Sequence, residues 1–146
     1  MIRKLRTALA TASVMAAVGT TALLGAGAAH AAGNNDNAAV YGRDVYVGWG
    51  NGTIGTCPLG DFCMYTKPGF TGKMFAFGHC EVYDLAHWNG YGSWVNYQTV
   101  PDDYVTDARV TDENGREIDR LSAEDSWWNG YYNWAPAWHV QPCGHY

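Results

Sequence analysis

The sequence predicts an all-β fold, a small Greek-key β-sandwich built of two repeated units and stapled by disulfides. Three observations carry this expectation. Short runs of strand-forming residues are separated by Gly, Pro, Asn and Asp at intervals of about ten residues, the pattern of a sandwich or barrel. The segment Trp88-Asn89-Gly90-Tyr91-Gly92-Ser93-Trp94 returns as Trp128-Asn129-Gly130-Tyr131-Tyr132-Asn133-Trp134, and each copy follows a candidate hairpin. A recurring supersecondary unit implies two similar halves packed together. Finally, Cys57, Cys63, Cys80 and Cys143 make an even number in a short chain, the arithmetic of two bridges in an oxidising compartment.

The elements follow in order. The chain opens with Arg3, Lys4 and Arg6 and then carries no Asp, Glu, Lys or Arg from Thr7 to Asn35. Its apolar stretch through Val14, Val18, Leu23 and Leu24 ends at Ala29-His30-Ala31, so residues 1–31 read as a secretory signal peptide cut after Ala31. The run is rich in Ala, Thr and Gly and poor in Leu and Ile, which disfavours a retained membrane anchor. Residues 32–40 are small and polar and are expected to form a disordered leader. A single domain then spans 41–146, with units at 57–98 and 104–143.

Tyr41 to Val47 alternates, with Val45 and Val47 on one face, and the glycines from Gly48 to Gly55 are expected to end that strand. Cys57 and Cys63 flank Pro58-Leu59-Gly60-Asp61-Phe62. Its Pro and Gly turn the chain back, which favours a local Cys57–Cys63 bridge and leaves Cys80 for Cys143. A zinc site from His79, Cys80, Cys143 and His145 is the competing use of these cysteines, but adjacent ligands and a Cys-x-His pair lack the spacing of structural zinc motifs. Further strands are expected at 62–66, 73–77, 94–99, 108–111, 117–121 and 138–141, with a hairpin turn at Asn114-Gly115 between two of them.

A formal net charge of −5 excludes a polybasic nucleic-acid binder, and removal of the basic first residues makes the chain more acidic. Seven Trp, ten Tyr and four Phe, all beyond residue 31, are incompatible with a disordered polymer. No nucleophile elbow, His-Glu-x-x-His motif or phosphate loop is present. Asp102, Asp103, Glu113, Glu117, Glu124 and Asp125 read as a solvated acidic face, so no catalytic residue and no enzyme is expected. A small domain cannot bury so many large rings, and Trp127 and Trp128 are expected to form an exposed aromatic contact surface.

Tyr65-Thr66-Lys67-Pro68-Gly69-Phe70-Thr71-Gly72 resembles the aromatic-x4-aromatic-x-Gly hairpin signature of βγ-crystallin-like domains, in which an aromatic packs over a folded hairpin and the Gly permits its sharp turn. Cys57-Pro58-x-Gly60-x-x-Cys63-x-Tyr65, running into Phe70-x-Gly72, Phe77-x-x-Cys80, Asp84-Leu85 and Ser93-Trp94-Val95-Asn96, is similar to peptidase inhibitor family 36, the Streptomyces metalloproteinase inhibitor type. The resemblance spans 57–96, and beyond it Val110 stands where a second signature would have an aromatic. It implies an inhibitor of an extracellular peptidase, of the metalloproteinase class. The chain is further expected to be secreted, monomeric and non-catalytic, with no cofactor and no membrane partner once the signal is cut.

Such an inhibitor needs a stiff exposed segment. Val100-Pro101-Asp102-Asp103-Tyr104, which joins the two units, is the candidate protease contact, stiffened by Pro101 and with Tyr104 to fill a specificity pocket. The alternative is a crystallin-like module that binds cell-wall or other glycans through Trp127 and Trp128, or calcium. Many βγ-crystallin domains hold calcium through paired Asn or Asp followed by Ser or Thr. That places Asn89 with Ser93, and Asn129 with Asn133, as incomplete ligand sets, because Gly90 and Gly130 stand where a second oxygen is needed.

Overall fold

In the computed structural model, residues 34–99 and 106–143 are described. The signal-peptide reading, the candidate contact segment Val100–Tyr104 and His145 lie outside the described residues. Among the described residues ten strands form: β1 Ala39–Tyr41, β2 Val45–Asn51, β3 Phe62–Lys67, β4 Thr71–Phe77, β5 Tyr83–Ala86, β6 Tyr91–Asn96, β7 Ala108–Thr111, β8 Glu117–Leu121, β9 Trp128–Asn133 and β10 His139–Gln141. They make two five-stranded antiparallel sheets, ordered β1-β5-β10-β7-β8 and β2-β4-β3-β6-β9.

The order reveals two Greek keys that exchange one strand each. β3 to β6 form the first unit, lying as β4-β3-β6, while β5 crosses into the other sheet. β7 to β10 form the second, lying as β8-β7-β10, while β9 crosses back. A pseudo-twofold relation follows, and β1 and β2 then widen each sheet by one strand on the same side. The repeated Trp-Asn-Gly segments are not the matching parts of these units. The first runs into β6 and the second fills β9, and the two lie side by side, with Tyr91 opposite Asn133 and Trp94 opposite Asn129.

Apolar residues of both inner faces close the core. Phe62, Met64, Phe75, Phe77 and Trp94 face Tyr83, Leu85, Val110, Leu121 and Val140, with Trp88 and Trp134 wedged between the sheets. Phe62 stacks on Phe77 with centroids 5.8 Å apart, and Trp88 meets Trp134 edge to face at 5.5 Å. Aromatic pairs in these geometries add to what area burial alone supplies.

The β3–β4 hairpin folds over the outer face of its own sheet, as the resemblance implied. Tyr65 meets Phe70 edge-on at 5.7 Å, and Gly72 has a φ of 77°, which favours glycine. The expected strand 41–47 is instead two elements in different sheets, divided by a turn in which Asp44 has a φ of 53°. The glycines do not end β2, which runs through Gly48 and Gly50 to Asn51. A Cβ at Gly50 would strike the Phe70 carbonyl and the Tyr65 ring, so the folded hairpin requires glycine there.

The disordered leader is corrected from Asn34 onward. Asn35 is buried, and its side chain donates to the Thr66 and Tyr91 carbonyls at 3.1 and 3.2 Å and accepts from the Gly90 N–H at 2.8 Å. Ala38 is buried and β1 pairs with β5, so the folded part begins before Tyr41. Both bridges close as the turn chemistry favoured, Cys57–Cys63 and Cys80–Cys143, with Cα separations of 5.8 and 5.3 Å. Among the described residues no helix is long and apolar enough to cross a membrane.

Candidate functional site

Both disulfides gather at one end of the sandwich, where β3 starts, β6 and β10 finish and the chain leaves toward residues 100–105. The strand leading out is held from three sides. The Asn96 N–H donates to the Trp127 carbonyl at 2.7 Å, while Tyr97 exchanges backbone hydrogen bonds with the Cys57–Cys63 loop, donating to Asp61 at 2.9 Å and accepting from Gly60 at 3.0 Å. Gln98 accepts from the Cys143 N–H through Oε1 at 3.2 Å and brings its Nε2 within 3.2 Å of Cys143 Sγ.

The returning strand is fixed by the same neighbourhood. Buried Asn96 donates through Nδ2 to the carbonyls of Thr106 and Leu121, both at 2.9 Å, and accepts from the Gln98 N–H at 3.2 Å. One amide thereby joins the exit and return of the chain across the two sheets, and each of its polar atoms is satisfied in a buried setting. Tyr97 stacks on Trp127, with centroids 5.1 Å apart and planes 28° from parallel. Burial pushes the nearby Asp61 carboxyl up, and His79 pulls it part of the way back.

The expected aromatic surface therefore divides. Trp127 is half-buried against Tyr97 at the stapled end, whereas Trp128 is exposed on the outer face of the β2–β9 sheet, edge-on to Phe70 at 5.8 Å. Trp127 precedes β9 and packs with Tyr97 on the cluster that includes Cys63, Tyr65 and Val95, whereas the ring neighbour of Trp128 is Phe70. Their place on that face is taken by Tyr91 and Tyr131, stacked at 4.5 Å and 17° and both exposed. Trp49 is the most exposed tryptophan, at 75%.

Three of the four calcium candidates make hydrogen bonds within the fold. Ser93 is buried, its Oγ accepting from the Phe70 N–H and donating to the Lys67 carbonyl, both at 2.9 Å. Asn129 and Asn133 cap local turns, accepting from the N–H groups of Tyr131 and Ala135 at 2.8 and 3.1 Å. Cys80 and Cys143 are oxidised together, which removes the thiolates of the zinc alternative. The acidic residues spread along the second unit: Glu117 is hydrogen bonded by Arg120 and paired with Arg109, which hold its carboxyl below the usual range, while Glu113, Glu124 and Asp125 are exposed. Asp102 and Asp103 lie outside the described residues.

Sequence reasoning missed the anchors Asn96, Tyr97 and Gln98. Asn96 stands in the quoted Ser-Trp-Val-Asn run, but its partners are 10 and 25 positions away and no local spacing marks them. Fold and site together define a doubly stapled, strand-exchanged Greek-key sandwich in which Asn96–Gln98 and Thr106 are held at one end. The chain matches no family model, no curated protein and no solved structure.

Proposed function

We propose that the protein is a secreted, non-catalytic inhibitor of an extracellular peptidase, presenting residues 100–104 from the stapled end. The observation that carries this reading is the anchoring of the chain on either side of that segment: Asn96 ties exit to return, and Gln98 ties the exit to Cys143. A binding segment on a fixed base loses less ordering entropy on docking, which is the physical requirement of tight inhibition. The resemblance of residues 57–96 supports a metalloproteinase target. The test is to mix the purified secreted protein with thermolysin-like and subtilisin-like peptidases. Saturable loss of thermolysin-like activity, weakened by Tyr104→Ala, is the expected result, and full activity of both enzymes at large molar excess overturns it.

A second reading, a glycan-binding module, is favoured by the exposed Tyr91–Tyr131 stack beside Trp128. Flat aromatic faces suit sugar rings, and retention on insoluble cell-wall glycan that survives Tyr131→Ala counts against it.

A further inference from the structure

The end of the sandwich opposite the disulfides holds a cavity of about 310 Å³ between residues 87–90, which join β5 to β6, and residues 134–138, which join β9 to β10. These connections occupy the same place in the two units, so the cavity sits where the halves meet, a common location for small-molecule sites. Ala135 and Ala137 give it small apolar walls, buried Trp88 backs it, and Trp138 stands at its side with 41% of its surface exposed. The polar lining is His87 and Asn89, whose side chains have no hydrogen-bond partner among the described residues. His87 has a φ of 61°, a backbone state that residues other than glycine rarely adopt and that recurs at ligand sites.

Neither connection is loose. The Trp134 N–H donates to the Gly90 carbonyl at 3.1 Å, and the Gly90 N–H donates to buried Asn35 at 2.8 Å. The Trp138 backbone donates to Thr111 at 2.9 Å and accepts from Leu85 at 2.8 Å, which fixes the root of its indole. A cavity held this way binds with little reorganisation.

We propose that this cavity binds an N-acetylated amino sugar, with the pyranose stacked on Trp138, the acetamido methyl against Ala135 and Ala137, and the acetamido N–H and C=O hydrogen bonded by Asn89 and His87. The lining selects that class. It holds no carboxylate, lysine or arginine, so a charged ligand would be desolvated without an opposite charge. A purely aliphatic ligand would cover Asn89 and His87 and leave them unpaired. An acetamido sugar satisfies the indole, the small apolar wall and both polar side chains. The cavity lies at the opposite end of the sandwich from the anchored chain, its lining includes neither Tyr91 nor Tyr131, and it rests on neither reading of function above.

The test is an amide-resolved NMR titration of the intact secreted protein with N-acetylglucosamine, with glucose as the control lacking the acetamido group. Shifts are expected at residues 85–89 and 135–138, at N-acetylglucosamine concentrations that leave glucose silent. Asn89→Ala and Trp138→Ala should each weaken binding about tenfold, while Ile118→Ala, at an exposed position of β8, leaves it unchanged. Should Trp138→Ala lose its near-ultraviolet dichroism, Asn89→Ala and Trp138→Phe carry the comparison. The proposal is overturned by no shift in these segments up to roughly 100 mM sugar, by an equal response to glucose, or by shifts confined to the Tyr91–Tyr131 face.

Discussion

The Ser93 hydroxyl bridges the Phe70 N–H and the Lys67 carbonyl, so one side chain holds the folded β3–β4 hairpin against the sheet. Ser93→Ala leaves both backbone groups without that partner and should lower stability by about 2 kcal/mol, read as a fall in the urea midpoint at constant slope. In the sequence the same serine follows Asn89 at a metal-ligand spacing, because its real partners lie 23 and 26 positions away. Asn35 misleads for the same reason: a small polar segment reads as coil, and its buried amide is explained only by backbone groups 31 to 56 residues on. Tyr132 adds a pH dependence of definite sign. Burial first, and then the Asp119 carboxylate to which it donates at 2.9 Å, hold its proton far above the usual tyrosine value of 10.0. The folded chain binds this proton more tightly than the unfolded one, so its contribution is complete below that value and is lost as pH rises beyond it. Chemical unfolding followed from pH 8 upward should show stability falling above about pH 10, and Tyr132→Phe should flatten that fall.

At the scale of elements, legibility followed the locality of the cause. β3, β4, β7 and β8 are hairpin partners whose turns lie between them, so local turn chemistry marks them. β5 and β9 are the exchanged strands, short or rich in Asn, Gly and Tyr, and they exist because the opposite unit offers them an edge. Propensity holds no record of that edge. The glycines of β2 are not legible as strand residues, because a glycine within a strand looks like a break until the group packed on it is known. Two substitutions separate the meanings of glycine. Gly115, at the β7–β8 turn, has a φ of 73° with no atom near its missing Cβ, so Gly115→Ala should cost only the backbone preference, about 1 kcal/mol. Gly50→Ala drives a methyl into the Phe70 carbonyl and must displace the hairpin, at about 3 kcal/mol or more. Equal thermal shifts in the two variants would refute the packing explanation for β2.

For the whole molecule, the two units are coupled by strand exchange, by the shared core and by Cys80–Cys143, which spans 63 positions and ties the end of the second unit to the first. Cys57–Cys63 spans only 6 and stiffens one loop. In the chain-entropy account, the long bridge restricts the unfolded chain by about 4 kcal/mol and the short one by about 2 kcal/mol. The Cys80→Ser/Cys143→Ser double variant should therefore lose roughly twice the stability of the Cys57→Ser/Cys63→Ser double variant in reversible denaturant unfolding. The bridges also differ in what they hold in the folded state. Cys143 receives Gln98, whereas the Cys57–Cys63 loop receives Tyr97 through two backbone hydrogen bonds. Loss of either bridge should loosen the chain on either side of residues 100–105 and, under the proposed function, weaken peptidase inhibition, while leaving the cavity at the far end intact. The decisive comparison is made at a denaturant-free temperature where both variants remain folded by near-ultraviolet dichroism. Inhibition falling in both variants, with sugar titration unchanged in each, identifies the stapled end as a fixed base for the connection. Inhibition that tracks global stability alone, with no separate loss in the folded variants, refutes that role.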